Sequence, residues 1–372
     1  MHLRISSVFV SFYFVLAITF FFFLGDAMLN EETSIRLFAD STTYELEAYE
    51  LRDLTTLQLM LFNPNYFGPI SILGLLNGSR WGVLILNLLV FTLALNVFFK
   101  VMSLDRKLFV VLLLMNPITF SSLLSINKEI YSLLALSLLI YGIRRHSVLA
   151  ALGCLVISVF VRWQLSLFVI VFWVLISPFN TLRHRRTLTF LILIVAVSIA
   201  YSISQNVYFF STISDYAVVG AADWEGIGLW GWLLEIQNAG GYFLIFPVKV
   251  LQVMFGILVY IDKMIDPPEL GFYNYVVLML HSLMTLFVLV YDFAKKKLSF
   301  SRNAFYMAMI YALIFGLTPV HGPRYFYPVF VLLCILAAEK NIWRDDTRGS
   351  DKVLRKTGQV SHARTPAPPG SG

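Results

Sequence analysis

The sequence predicts an all-α protein, a polytopic transmembrane helical bundle of about 10–12 spans. Its residues are 58% hydrophobic and only 13% charged, whereas soluble domains carry about 45–50% apolar and about 25% charged residues. Apolar runs of about 17–25 residues, the length that crosses a hydrocarbon core, recur along the chain. The net charge of +6 then reflects basic cytoplasmic loops, and no nucleic-acid partner is expected.

The apolar runs give an order of crossings. The first run, near residues 5–25, is long for a signal peptide and has no clear Ala-x-Ala site after it, so we expect an uncleaved first span. Residues 242–261 are expected to enter the membrane and return on the same side, because Pro247 and Lys249 interrupt them; an additional crossing within 205–241 would give the same parity. The remaining spans are expected near 82–102, 108–124, 130–143, 147–161, 164–179, 187–204, 273–293, 304–320 and 327–339.

This order makes about ten crossings and places both termini in the cytoplasm. It also places 20 of the 28 Lys and Arg residues on the cytoplasmic side, as the positive-inside rule requires. Residues 1–340 form one membrane domain, and the polar, Pro- and Gly-rich residues 341–372 are expected to be a disordered cytoplasmic tail. The long polar segments, above all 26–80 and 205–241, become extracytoplasmic loops, where we expect the functional site.

The first candidate for chemistry is Asp40, in the first extracytoplasmic loop. Asp40, Tyr44 and Ala48 lie four residues apart and therefore share one face of a helix. Asp40 fits the N-cap of that helix. A carboxylate at a membrane surface also suits the general base that takes a proton from a sugar hydroxyl. Both roles stay open at this point.

Two cations occupy the tips of expected extracytoplasmic turns. Arg162 interrupts the apolar hairpin 147–179, where a charge either faces a cavity or headgroup or snorkels to the interface. Lys128 suits the neutralisation of a phosphate. A local ion pair between Lys128 and Glu129 is the alternative.

Residues 321–328 precede the last span. Pro323 and the following aromatic residues restrict Arg324, whose planar guanidinium suits bidentate phosphate recognition. Tyr325 fits either a binding site or the interfacial aromatic belt. His321 could be a base or a ligand, although a lone histidine is more often a hydrogen-bonded interface residue.

The other polar residues are less specific. Loop 205–241 combines acidic groups with tryptophans, which suits sugar binding but fits an amphipathic surface helix around 225–237 equally well. These residues are Asp215, Asp223, Glu225, Glu235, Trp224, Trp230 and Trp232. The six histidines and two cysteines show no metal-ligand spacing, and no phosphate-binding glycine motif occurs. We therefore expect no cofactor and no structural zinc, and a divalent metal requirement is not indicated.

The first loop resembles that of the GT-C superfamily of integral-membrane glycosyltransferases. Asp40 with Tyr44 and Ala48 is similar to the acidic motif of the family's first loop, and residues 63–69 resemble the Gly-Pro-bearing segment that follows it. The loop departs from the family pattern because it lacks a compact Asp-x-Asp. Glu47, Glu50 and Asp53 therefore remain rivals of Asp40.

Two later elements carry the same resemblance. Residues 127–129, after Asn116-Pro117, look like a Lys-Glu motif of bacterial members. Arg324, Tyr325 and Pro328 are similar to a late Arg-Tyr-x-x-Pro element before the last span. The resemblance spans most of residues 1–340.

The resemblance implies an enzyme that moves a sugar from a polyprenyl-phosphate carrier to an envelope glycan, lipid or protein. The reaction would take place on the extracytoplasmic face of a bacterial plasma membrane, among membrane lipids. Asp40 would be the catalytic base, and Arg324 with Lys128 or Arg162 would stabilise the departing lipid phosphate. The implied substrate-binding residues are Tyr44, Lys128, Arg162, His321, Arg324 and Tyr325.

Two other functions remain open. A polysaccharide polymerase of the O-antigen or capsule type also acts on polyprenyl-linked glycans, but no Arg-x10-Gly repeat of its kind occurs here. A flippase of lipid-linked sugars, or another transporter, would place polar residues in mid-membrane. Apart from Lys249 and His281, the charged or titratable side chains avoid such positions.

Overall fold

The computed structural model describes residues 5–29, 39–51, 58, 65–204, 229–256, 272–318 and 322–340. All regular elements within these ranges are helical, and a single isolated bridge pairs Leu104 with Glu339. The α-helices are α1 Ile5–Leu29, α2 Ala39–Glu50, α3 Phe67–Leu75, α4 Arg80–Val101, α5 Arg106–Met115, α6 Pro117–Leu124, α7 Glu129–Arg145, α8 Val148–Val161, α9 Trp163–Ile176, α10 Arg186–Ser204, α11 Leu229–Ile236, α12 Tyr242–Phe255, α13 Phe272–Ala294, α14 Asn303–Phe315 and α15 Tyr327–Ala338.

The chain has the helices of a multi-pass membrane protein. In the described ranges, five helices are long and apolar enough to cross a membrane: Ser6–Gly25, Arg80–Val101, Arg186–Ser204, Gly231–Phe255 and Tyr273–Ala294. The bent pair α5–α6 would be a sixth. Helices α8, α9, α14 and the segment Pro323–Ala338 are equally apolar but shorter. Helix α15 lies at the centre, where every residue from Tyr327 to Ala338 is buried.

Polar side chains start several helices at the positions where the sequence breaks an apolar run. The side chain of Ser79 accepts a hydrogen bond from the Gly82 N–H at the start of α4, and Asp105 accepts from Lys107 N–H at the start of α5. Ser147 does the same for α8. These caps satisfy N–H groups that have no partner inside the helix.

The contacts sort the loops onto two ends of the bundle. At one end, which we call the basic end, Arg186 donates to the Phe300 carbonyl, 3.1 Å, and Arg302 pairs with Glu339, 3.3 Å. Lys297 donates to the carbonyl of Leu336, 2.9 Å. The opposite end carries residues 125–129, Arg162 and the 3-10 turn Pro323–Phe326, and we call it the site end. These pairings join only segments that the sequence predicts on the same side.

Residues 231–255 fold back on themselves. A π-helical segment, Gln237–Gly241, joins α11 to α12, and Gly240 within it has φ of 85°. The Lys249 ammonium bonds to the Gln237 side-chain oxygen, although twelve residues in a straight helix would span about 18 Å. A bend at Gly240 brings the two together, and only glycine adopts this φ without strain. The break therefore precedes residue 242, and α12 runs without interruption through Pro247 and Lys249. The prediction that these two residues interrupt the segment is wrong over 242–255; residues 257–271 lie outside the described ranges.

Helix α3 packs directly on the end of α8. A Cβ atom added to Gly68 would lie 1.7 Å from the carbonyl oxygen of Phe160, so the two backbones touch only because residue 68 has no side chain. Phe67 also stacks on Phe160, with ring centroids 4.8 Å apart. This contact forms one wall of the cavity described below.

We expect Gly68→Ala to destabilise the protein by about 2 kcal/mol, because the added methyl group has to push α3 away from α8. Thermal unfolding in detergent, followed by intrinsic fluorescence, measures the change. Gly74→Ala in the same helix is the control, since nothing lies within 4 Å of a Cβ at that position. Equal melting temperatures for the two variants would contradict the packing of α3 on α8.

Candidate functional site

A buried amide holds the loop that carries Lys128. Asn87 of α4 is fully buried, and its Nδ2 donates to the carbonyl oxygens of Ser122, Leu123 and Ser125 at 2.9–3.1 Å. Its Oδ1 accepts from the Tyr131 hydroxyl, 3.0 Å. The carbonyls at the end of α6, which no helical N–H satisfies, thus bond to a side chain of another helix. This fixes residues 125–128 against α4.

Helix α2 covers the same loop. The Ser41 hydroxyl lies 2.9 Å from both the Ile126 carbonyl oxygen and Ser125 Oγ. In the middle of the helix, Glu45 accepts three hydrogen bonds from Arg80, the shortest being 2.7 Å. The helix is therefore attached to the loop near its start and to the start of α4 near its middle.

Lys128 lies beneath α2 among aromatic rings. It is 6% exposed, and its ammonium lies 5.1 Å from the centroid of Tyr44 and 5.8 Å from that of Tyr66. The two rings meet edge to face, with centroids 5.2 Å apart. The negative faces of aromatic rings attract a cation, so the rings hold the ammonium at a defined place.

The next residue along the chain pairs with a different cation. Glu129 accepts from Arg162 at 3.0 Å, with the two side chains 2% and 9% exposed. The guanidinium of Arg162 also lies 4.2 Å from the ring centroid of Tyr325. Of the two alternatives for Arg162, its burial and its pairing with Glu129 favour a position inside the protein over snorkelling to the interface. The pairing also shows that the partner of Glu129 is Arg162.

The 3-10 turn completes this cluster. Tyr325 lies between two cations, because the Arg324 guanidinium is 5.5 Å from the same ring. The Tyr311 hydroxyl donates to the Tyr325 carbonyl, 2.8 Å, and ties the turn to α14. Arg324 is half-buried. The 3-10 turn thus carries Arg324 itself, while its Tyr325 packs against Arg162 at the junction of α8 and α9.

A cavity of about 250 Å³ lies beside Lys128, between α3, α7, α8 and the 125–128 loop. Its surface is almost entirely apolar, although Asn127, Lys128 and Tyr131 are among the lining residues; the others are Gly68, Pro69, Ile72, Ile126, Val156, Ile157, Phe160 and Val161. Val156 and Phe160 are 56% and 37% exposed, so these two residues belong both to the cavity and to the apolar outer surface. The cavity is thus apolar, and the Lys128 ammonium lies next to it against the rings of Tyr44 and Tyr66.

Five of the expected site residues form one neighbourhood. The ring of Tyr44 contacts Lys128. Glu129, the next residue in the chain, pairs with Arg162. The ring of Tyr325 contacts both Arg162 and Arg324. Asp40 lies in the first turn of α2, one turn before Tyr44, and its side chain lies outside the described part, as does His321. The rival Asp53 is also outside it; Glu47 and Glu50 are in α2.

The described part of segment 205–241 is helical. The helix expected around 225–237 is present as Leu229–Ile236, with Trp232 and Glu235 exposed; Asp215, Asp223, Trp224 and Glu225 are not in the described ranges. Cys154 and Cys334 are buried free thiols. Over the described residues, no group of three or more His, Cys, Asp or Glu side chains could hold a metal ion.

Sequence reasoning missed three contributors to the site. Asn87 was the easiest of them to recognise from the sequence, because an amide in the middle of an apolar run is costly unless it has hydrogen-bond partners. Tyr66 and the Arg80–Glu45 pair gave no comparable signal, since both lie where polar and aromatic residues are ordinary.

Comparison with known proteins finds no family model, no curated protein and no solved structure that matches this chain.

We expect the Glu129–Arg162 pair to show strong coupling. Arg162→Met alone leaves a buried carboxylate unpaired and should cost about 3 kcal/mol or more. The double variant Arg162→Met with Glu129→Leu should recover most of that loss, because neither charge is left. Thermal unfolding of the two single variants and the double variant measures the coupling. Additive losses would contradict a direct pair.

Proposed function

We propose that the protein is a glycosyltransferase that takes a sugar from a polyprenyl-phosphate carrier and transfers it to a glycan, lipid or protein acceptor. The observation that carries the proposal is the cavity beside Lys128. A polyprenyl phosphate has an anionic head on a long hydrocarbon chain; the cavity offers apolar walls for such a chain, and the buried ammonium of Lys128 lies beside it. This is the combination such a lipid needs.

The depth of the cavity also favours a lipid ligand. Asn87, which bonds to Ser125, lies seven residues inside α4 from Arg80, or about 10 Å along the helix. The loop that carries Lys128 is therefore recessed below the end of α4. A phosphate that arrives on a membrane-embedded chain reaches such a recess without leaving the bilayer.

The proposed reaction is a displacement at the anomeric carbon. Asp40 takes the proton of the acceptor hydroxyl, the hydroxyl oxygen forms the new bond to the sugar carbon, and the bond from that carbon to the phosphate oxygen breaks. The carrier phosphate leaves with the electron pair, and Lys128 and Arg324 stabilise its charge. Arg162, already paired with Glu129, fixes Tyr325 in this arrangement. The position of Asp40 in α2, one turn before the tyrosine whose ring contacts Lys128, supports this assignment.

The proposal includes the topology. The site end faces the extracytoplasmic side of a bacterial plasma membrane, and residues 341–372 are cytoplasmic with the N-terminus. In that orientation the basic end faces the cytoplasm, in keeping with the positive-inside rule. The full set of about ten crossings then uses the short helices α8, α9, α14 and α15 as spans.

We expect Lys128→Gln to lower release of free carrier lipid by about 100-fold, the loss typical of a removed charge-stabilising group. The assay uses proteoliposomes with labelled polyprenyl-phosphate sugars and an envelope extract as acceptor. Lys100→Gln is the control, because Lys100 also lies over a tyrosine ring, 5.8 Å from Tyr141, but belongs to the basic end. Equal rates for the Lys128→Gln variant and the native chain would overturn the phosphate role.

The same assay with Asp40→Asn and Arg324→Ala tests the other two roles. We expect both to retain folding and to lose transfer, Asp40→Asn more strongly because the proposed reaction gives the acceptor proton to Asp40. Labelled donor that changes leaflet without cleavage would identify a flippase. Consumption of diphosphate-linked glycans alone would identify a polymerase.

A further inference from the structure

Beneath the site lies a buried polar group that the proposed reaction does not use. His281 of α13 is fully buried, and its Nδ1 lies 2.8 Å from Nδ2 of Asn116. Asn116 occupies the break between α5 and α6, where the helix axes differ by 71°, and its Oδ1 accepts from the Ile118 N–H, 2.9 Å. His281 therefore contacts the side chain that starts α6, the helix that leads to the Lys128 loop.

The other side of the imidazole faces the turn that carries Arg324. The backbone of Pro323 lies beside the ring, and because proline has no N–H, its only polar backbone group is the carbonyl. Nε2 of His281 makes no hydrogen bond to any described residue. Nδ1 lies within hydrogen-bond distance of both Nδ2 and Oδ1 of Asn116, 2.8 and 3.2 Å away, so the contact with Asn116 is compatible with either tautomer of the ring. Nε2 is in either case a buried polar atom on the side of the ring that faces the Pro323 backbone.

A second contact joins the same two elements. The hydroxyls of Tyr327 and Thr119 lie 2.9 Å apart, which links the first residue of α15 to α6. The rings of Tyr327 and Phe330 pack against His281, with centroids 6.3 and 5.8 Å away. Helix α6 and the 3-10 turn thus meet at one buried imidazole, although they carry different cations of the site.

We propose that His281 is a positioning residue that holds α6 and the Pro323–Phe326 turn in register, and so sets where Lys128 and Arg324 stand relative to each other. The link between the two elements stands on the contacts above. Its consequence for phosphate binding rests on the proposed function. His281 touches neither the ligand nor the reacting atoms.

Hydrogen exchange of the full chain in nanodiscs tests the link without any ligand. In His281→Phe, which keeps a ring of similar shape, we expect amides of 117–128 and 323–327 to exchange about 10-fold faster. His281→Asn, which retains an amide facing Asn116, should restore protection in 117–128 but not in 323–327. Leu280→Phe, at an exposed position of the same helix, is the control. Changes confined to α13, or none, would overturn the proposal.

Binding of farnesyl phosphate, a prenyl monophosphate, tests the consequence. We expect His281→Phe to weaken binding about 10-fold in the native background and less than about threefold in the Arg324→Ala background, because a residue that acts through Arg324 has little left to act on. Equal factors in both backgrounds would show that His281 does not act through Arg324 and would overturn the positioning role. If the native chain does not bind this lipid, the proposed function fails, and the exchange experiment still decides whether His281 links the two elements.

Discussion

The structure of the site depends on one requirement: a charged or polar group that is buried away from water needs a partner directly beside it. Arg162 interrupts an apolar hairpin, and Glu129 begins a helix elsewhere in the chain, yet both are almost completely buried and bond to each other. Removing two charges from water costs more than their attraction returns unless the geometry is good. The pair is therefore better evidence of a defined arrangement than of added stability. It fixes the start of α7, the α8–α9 tip and, through Tyr325, the 3-10 turn.

The same requirement explains the two buried asparagines. A helix that is interrupted inside an apolar bundle exposes N–H and carbonyl groups that water does not reach. Helix α6 is short and is broken at both ends. Asn116 caps its first turn, and the amide of Asn87 in α4 donates hydrogen bonds to its last carbonyls. Each amide has a further partner, His281 or Tyr131. These side chains allow a short, bent helix to present the Lys128 loop at a fixed place.

Much of the helical layout follows from the sequence, because apolar runs and capping residues are local signals. The hairpin with its tip at Arg162 and the helix containing Tyr44 are both visible there. The break at Asn116-Pro117 is not predicted: the sequence indicates one span over 108–124, whereas the structure bends by 71° within it. Pairings are not local. Lys128 and Glu129 are neighbours in sequence, yet successive residues at a helix start point in different directions, so each meets a different partner. The burial of Asn87 and the approach of Gly68 to Phe160 depend on which helices pack together, and no periodicity states that.

Helix length decides where the charged groups stand. Helices α8 and α9 have 14 residues each, so neither is longer than about 21 Å, against about 30 Å for a hydrocarbon core. Helix α4 has 22 residues, and the bond from Asn87 to Ser125 shows that it extends beyond the 125–128 loop at the site end. Short helices thus create a recess bordered by long ones, and α2 and α3 pack over it. In this recess Lys128 lies beside apolar side chains, and other protein groups supply the hydrogen bonds of the polar groups around it. The proposed ligand, a phosphate on an isoprenoid chain, is compatible with both surroundings at once, whereas a water-soluble sugar nucleotide is not.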